Sequence, residues 1–511
     1  MKKTIACLSL ALAVPSLASA TEFQTPGAIG MGGAGVARNN GALTAYWNPA
    51  GGAFKTSPFA MSVGIGAGIS GSDGLAENVD RFSSINFDSV KNFNPNTATS
   101  GNVSELVKTL SILDDISARN GSLSVNGFVP LGFASKRFSF GLYGSMEGYV
   151  QPLTDMHYVM PLNDVNAATA ISLTDLSDAV ARTAVVYAPT EYFSAAQRTD
   201  ITNQLNASIN DLAKSQQLTL AIENELMNSG IPASMVYTSV VNTLIPTLNG
   251  GSTNNTLDMN TTSVMTKAIQ YIEAPLSYGH PVDLGKMGQL GLGVTAKLIS
   301  GTVYQNQVLL VNRDTDNLTS ADLVNDITKN KKTSSSFGID LGALYKYRNW
   351  LSVGIVGKNL NSPKFDAPDY FTPVYNPANG RVELSQRVTG GTVELQPQVR
   401  AGIAFEPAGW LNFAADLDLR ENDTLSPGSI IGSSYKSRNI GGGCEFRPAS
   451  WLKVRAGAYR NLASTRKQVL TAGFKLFLLD VDGAFATDTF VVDGNTLPQE
   501  VQINAGMSFS F

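Results

Sequence analysis

The chain has 511 residues, with 37 Lys and Arg against 41 Asp and Glu, a formal net charge of −4 and only 15% charged residues. Soluble domains usually carry about 25% charged residues, and an acidic balance excludes electrostatic capture of nucleic acid. Of two cysteines only Cys444 lies beyond residue 20, which excludes an internal disulfide, a CxxC redox pair and a cysteine-based zinc site.

Residues 1–20 are expected to be a secretory signal peptide. Lys2 and Lys3 supply its positive end, Ile5 to Val14 its apolar core, and Ala18-Ser19-Ala20 a small-residue cleavage site. The apolar core is too short to span a bilayer, and Cys7 lies inside it rather than after a lipobox. No later apolar run approaches 20 residues, so no inner-membrane helix is expected. Without the leader the count becomes 35 basic against 41 acidic residues, a formal charge of −6.

Residues 21–56 form a small, Gly-rich stretch that includes Gly32, Gly33, Gly35 and then Asn48-Pro49-Ala50. It is too polar on both faces for a lipid-facing strand. It also lacks the flanking strand, helix and Lys-Ser/Thr ending of a phosphate loop. The expected arrangement is a segment folded tightly in a confined space, where Gly permits positive φ and close backbone approach. Asn48-Pro49 is expected to turn the chain.

From residue 57 onward the dominant pattern is alternation, apolar on one face and polar or small on the other. Phe59, Met61, Val63 and Ile65 open it. Further segments run near 123–135, 137–151, 270–281, 288–303, 333–347, 350–360, 393–406, 410–420, 436–447, 451–460, 467–478, 479–489 and 500–511. That gives about fourteen strands of transmembrane length. The links at Lys136-Arg137, Tyr347–Asn349, Glu406–Gly409, Arg447–Ser450 and around Leu479 are short. Those at 71–122, 152–269, 304–332, 361–392, 421–435 and 490–499 are mostly long. Short turns alternating with long loops, and an even strand number, are the signature of a closed antiparallel barrel in a bacterial outer membrane. The weak points are Pro275 within the fourth strand and the boundary between strands twelve and thirteen. A soluble sandwich is the alternative that the strands alone leave open.

The barrel domain is therefore expected over 57–511, with helical extracellular insertions at about 71–122 and 152–269. Ile201, Leu205, Ile209 and Leu212 make an amphipathic stripe, with Ser194 and Gln197 as a capping box and Gly230 and Pro232 as stop and restart. Leu173, Leu176 and Val180 mark a second helix, and Leu106, Val107, Leu110 and Leu113 a third. Trp350, Trp410 and Trp451 fall at strand starts on one rim, as an interfacial aromatic girdle requires.

In this register Asp340, Glu394, Arg400, Asp416, Asp418, Arg420, Glu445, Arg447 and Arg455 face the lumen. So do Glu147, Lys297, Lys346, Lys453 and Lys475. Mixed signs at this density are expected to form ion networks that fill the interior and hold the N-terminal segment, with a selective polar conduit as the other reading. Neither a metal site nor a cofactor is expected. His157 and His280 fall on opposite rims, so no catalytic pair is expected and the chain is read as a non-enzyme.

The chain resembles known families at particular residues. Gly30–Ala37, followed by Trp47-Asn48-Pro49-Ala50-Gly51 just before the first strand, resembles the hatch of FadL/TodX-type outer-membrane transporters of hydrophobic compounds. The stretches Asp340–Tyr345, Gly357–Leu360 with Pro363–Phe365, Leu395–Gly402 and Asp416–Leu419 are more similar to a sister group of TraF-like plasmid-transfer proteins. The terminal alternation Val501–Phe511, with its final aromatic, resembles the signature read by the barrel-insertion machinery. The first resemblance implies a fourteen-stranded barrel plugged by residues 21–56, with Gly32, Gly33, Gly35, Asn48, Pro49 and Ala50 in the plug. It further implies a monomer among outer-membrane lipids, passing a small hydrophobic ligand. A thioredoxin-like TraF would carry a dithiol, which Cys444 alone cannot supply. The second resemblance therefore implies an association with conjugal transfer, as a structural or surface-interaction barrel, and not redox chemistry.

Overall fold

The computed structural model describes residues 28–38, 41–54, 58–71, 96–119, 121–159, 171–249, 257–311, 328–425, 436–463, 468–492 and 495–510, with a few further residues between 77 and 94. The expected signal peptide, Thr25-Pro26-Gly27 and the terminal Phe511 lie outside the described residues.

Fourteen antiparallel strands close into one barrel, each bonded to its neighbours in sequence and the last to the first. They are β1 Phe59–Gly71, β2 Leu123–Ser135, β3 Phe138–Leu153, β4 Ser263–Asp283, β5 Gln289–Leu309, β6 Lys331–Tyr347 and β7 Leu351–Lys358. The second half comprises β8 Gln398–Ala408, β9 Leu411–Asp418, β10 Asn439–Ala449, β11 Leu452–Asn461, β12 Val469–Leu476, β13 Leu479–Ala486 and β14 Glu500–Ser510. Closure leaves no open edge, so backbone donors and acceptors are satisfied within the wall.

Alternation works as the sequence implies. On β5, Leu292, Val294 and Leu298 point to the outside, while Thr295, Lys297 and Ile299 are buried within. Trp350, Trp410 and Trp451 are exposed at the short-turn end and pack against Phe405, Phe446 and Phe477. An apolar outer face with an aromatic rim is what a lipid-embedded wall demands. Leu298, 71% exposed near the middle of β5, is a direct test. Leu298→Arg should cost about 2–4 kcal/mol of unfolding free energy in lipid, read by denaturant titration. A cost below about 1 kcal/mol would show that this face does not meet the hydrocarbon.

Pro275 is accommodated within β4, a 21-residue strand. The β3–β4 ladder lapses there, between Phe140↔Leu276 and Tyr143↔Glu273. The β1–β2 ladder lapses likewise around Pro130, between Val63↔Leu131 and Gly66↔Phe128. Proline has no amide hydrogen to donate, so pairing is interrupted at these places while the strands continue.

At the long-loop end, helices α1 Ser100–Arg119, α2 Leu173–Arg182, α3 Ala195–Ile209, α4 Leu212–Leu226 and α5 Ala233–Ser239 pack on one another. They build a core of their own around Leu106, Leu110, Leu113, Leu176, Ile201 and Leu205. Ser194 caps α3 reciprocally with Gln197. The stripe expected to run on through Leu212 is broken, because Asn210 turns left-handed and Asp211 caps a new helix. Leu212 thus opens α4 and is exposed.

Glu223 of α4 binds the Arg198 guanidinium through both carboxylate oxygens at 2.8 Å and accepts from Thr190 Oγ1 at 2.7 Å. Burial pushes its carboxyl up, but Arg198, Thr190 and the Phe193 amide outweigh this and hold it below the usual glutamate range. Its stabilisation is therefore complete above the unfolded-state pKa and disappears as pH falls through the lowered folded value. The helical cap should lose protease protection below about pH 4. Glu223→Gln should lose that pH step and be protease-sensitive already at neutral pH.

Candidate functional site: the plugged lumen

Residues 28–38 and 41–54 lie inside the barrel, against opposite walls. The first part, with a helical turn at Ile29–Met31, sits against β10 to β13; the last, Pro49–Phe54, sits against β4 to β6. The wall is stripped of side chains where the segment docks. A Cβ on Gly293 would lie 2.2 Å from the Ala50 nitrogen. Gly32, at φ +65°, has room for no Cβ either, since Ala458 O would be 2.3 Å away. The high glycine content thus serves backbone-to-backbone packing of segment on wall.

Polar contacts fix the seat. The amides of Gly35 and Val36 both donate to Asp416 Oδ2, at 2.8 and 3.0 Å. Two successive amides on one carboxylate oxygen form a small anion-binding nest. Gly32 donates to Thr471 Oγ1 at 3.2 Å, and Arg38 pairs with Glu445 at 3.0 Å. On the other side, Asn48 Nδ2 reaches the carbonyls of Val36 and Ala343, both at 3.2 Å, while its Oδ1 accepts from Ala50 N at 3.1 Å. Asn48 therefore ties the two parts of the segment together and both to the wall. The chain turns at Asn48-Pro49 as expected, with Gly51 N donating to Asn48 O at 2.9 Å, between the helical turns Thr44–Trp47 and Pro49–Phe54.

Tyr46 and Trp47 give the segment an apolar core with Phe128 and Tyr143 of the wall. The Tyr46 ring lies 4.7 Å from Phe128 and 5.5 Å from Tyr143, and the Lys358 ammonium sits over it at 3.8 Å. Gly35 lets this core close, because a Cβ there would lie 2.4 Å from the Trp47 ring. Gly33 is different. A Cβ there would meet nothing within 4 Å, and its φ of +76° alone accounts for the residue type.

Ionic layers flank the segment on both sides, the Lys297 and Arg400 pairs towards the long loops and the Arg455 network towards the short turns. Lys297 pairs with Glu273 at 2.9 Å and Asp340 at 3.2 Å. Arg400 binds Asp418 through two bonds, and Asp418 also accepts from Asn439 N. Arg455 joins Glu445, Asp480 and Asp482, while Arg447 bridges Glu445 and Glu406 nearer the short-turn rim. Buried charges of both signs are mutually satisfied here, which is the condition for keeping them inside.

Two residues of the expected lumen set lie off the barrel strands. Glu394 belongs to a short ribbon ahead of β8, where Val393 and Leu395 are buried against the inner wall and Glu394 faces away from that wall. The alternation does not carry through Gln396-Pro397, so its phase changes. Arg420 lies two residues beyond the end of β9 and is exposed. Conversely, Arg38, Thr471, Asp480 and Asp482 were not singled out from sequence. The Asp480/Asp482 pair repeats the i, i+2 spacing of Asp416/Asp418 and was legible by the same rule.

The family described as F plasmid transfer operon, TraF, protein matches residues 45–418. The chain belongs to this TraF family. The match begins inside the lumen segment and ends with Asp418, so it takes in most of the residues that seat the segment from β2 to β9. No curated protein matches the chain. Among solved structures it is similar to the Pseudomonas putida toluene transporter TodX, at 11% identity over 96% of this chain and 99% of that one, TM-score 0.43. It is similar also to the Ralstonia pickettii toluene transporter TbuX, at 12% identity, 96% and 99% coverage and TM-score 0.40. A Pseudomonas aeruginosa FadL homologue matches at 11% identity, 97% and 99% coverage and TM-score 0.39. The TraF-like resemblance read from the sequence is thus met again as family membership.

Proposed function

We propose that the chain is an outer-membrane barrel that passes small hydrophobic molecules without an energy source, with residues 21–56 as its hatch. In this reading it is a monomer in outer-membrane lipid, delivered by the barrel-insertion machinery, and not an enzyme. The observation that carries it is the seat of residues 28–38 and 41–54. The segment fills the lumen, yet one side is fastened by amides on Asp416 and by the Arg38–Glu445 pair, contacts that can be exchanged for water or ligand. Gly32, Gly33, Gly35, Asn48, Pro49 and Ala50 are the gating residues. The test has two arms. Native mass spectrometry of the purified chain should find a co-purifying apolar molecule. Vesicles with a lipopolysaccharide outer leaflet should take up an apolar dye faster with the chain than without it. Equal uptake and an empty barrel would reject the proposal.

A second reading, a surface-interaction barrel associated with conjugal transfer, is favoured by the helical cap. The cap's hydrophobic cluster contains no residue of the fourteen strands. It is a folded body presented at the long-loop end, and it requires no transport to be useful.

A further inference from the structure

The short-turn end of the barrel is basic, although the chain as a whole carries a formal charge of −4. Its turns expose Lys136, Arg137, Lys286 and Arg348. Just inside the mouth the wall adds Lys346, Arg447, Lys453 and Lys475, all partly exposed. Among the described residues, the acids that reach solvent at this end are Asp283 and Glu406. Glu445, Asp480 and Asp482 are buried and already gathered around Arg455.

Three of the wall cations lie side by side. Arg447, Lys453 and Lys475 come from the adjacent strands β10, β11 and β12, and Lys453 is the direct cross-strand partner of Lys475. Like charges placed opposite each other weaken a strand pair. Little relieves this one. Lys453 comes no nearer to Glu445 than 3.7 Å, and Lys475 donates to the Ser508 hydroxyl without an ion-pair partner among the described residues. Glu445 also holds Arg38 at 3.0 Å, Arg447 at 2.7 Å and Arg455 at 2.8 Å. One carboxylate shared in this way leaves positive charge over. That charge faces the open mouth, because Lys453 shares the lumen face of β11 with Arg455 and Lys475 lies opposite it.

A low-dielectric rim of one sign draws anions towards it, and the extent of the patch selects among them. Phospholipid head groups lie outside the wall and do not reach lumen-facing ammoniums. A single small anion would meet Arg447, Lys453 and Lys475 but not the turn cations between β2 and β3, β4 and β5, and β6 and β7. A linear chain bearing several carboxylates meets both.

We propose that the short-turn mouth is the docking site of an acidic, extended peptide segment of a periplasmic protein, seated on Arg447, Lys453 and Lys475. Arg38, with a side chain 13% exposed, is the cation that the lumen segment itself contributes, so the site is complete only with that segment in place. The inference depends on short turns facing the periplasm, and not on whether the barrel transports anything.

The test uses the full chain in lipid nanodiscs, where both ends are open to solvent, and a fluorescein-labelled peptide of alternating Gly and Glu. Fluorescence anisotropy should show saturable binding that is lost when every Glu of the peptide is replaced by Gln. Lys453→Gln/Lys475→Gln should weaken binding about tenfold or more, and Arg38→Gln should weaken it less. The same double variant should resist guanidinium at least as well as the parent, because it relieves opposed charges. A pair that serves structure alone would lose stability instead. Lys331→Gln/Lys332→Gln removes as many charges at the long-loop end and should leave binding unchanged. Equal weakening by the two double variants would reduce the effect to non-specific attraction and overturn the proposal. Retention of the chain on purified peptidoglycan through Lys453 and Lys475, with the peptide unbound, would also overturn it, since the mouth would then belong to the cell wall.

Discussion

Deleting residues 25–50, with the signal peptide and β1 retained, should give a barrel that inserts and stays compact on unboiled gels but conducts far more. The wall does not need the segment in order to close, because its ladder runs strand to strand and β14 pairs directly with β1. The segment fills the space within, with Met31, Trp47 and Ala50 each no more than about 1% exposed. Fourteen strands enclose a lumen wide enough for water once nothing occupies it. Asp416 and Glu445 would then exchange Gly35, Val36 and Arg38 for solvent, at modest cost for groups that hydrate well. Phe128 and Tyr143 would lose their apolar cover, so thermal stability should fall by about 2–5 kcal/mol. Single-channel conductance in planar bilayers should rise about tenfold or more, as for a lumen changed from packed to aqueous. An inserted deletion protein that conducts no better than its parent would show that something else seals the barrel.

The wall was legible in the sequence because each strand obeys one local rule of period two, and lipid outside with a crowded lumen inside makes that rule strict. Leu411, Phe413, Leu417 and Leu419 against Asp416 and Asp418 shows this, since a slip of one residue would put carboxylates into lipid. Legibility ended where the chain left the wall. Glu394 looked continuous with β8 because Val393 and Leu395 are apolar, yet these pack inward on Ile269 and Val303, and Pro397 separates ribbon from strand. The Ile201–Leu212 stripe failed at Asn210, because a left-handed residue resets helical phase without disturbing the apolar spacing. For the N-terminal segment, the abundance of glycine told of confinement. Which wall faces it on each side depends on partners such as Gly293 and Ala458, far away in sequence, and no local pattern reports them.

The ionic layer gives the second large effect, centred on Arg455. Its side chain is 3% exposed and meets Glu445 at 2.8 Å, Asp480 at 2.5 Å and Asp482 at 3.2 Å. Three carboxylates converge on one guanidinium, and the planar fork with several donors is what permits it. Arg455→Met should cost about 3–5 kcal/mol of unfolding free energy, because it strands buried negative charge rather than merely deleting a contact. The loss should fall unequally. Glu445 keeps Arg38 at 3.0 Å and Arg447 at 2.7 Å, whereas Asp480 and Asp482 lie on β13 and lose the guanidinium that both share. The triple variant Arg455→Met/Asp480→Asn/Asp482→Asn should therefore recover most of the stability, since amides of the same shape carry no charge to desolvate. Guanidinium unfolding in detergent, followed by the gel shift of the folded barrel, measures both. If the single and triple variants are equally unstable, the network contributes packing rather than charge balance, and Arg455 matters for its volume alone.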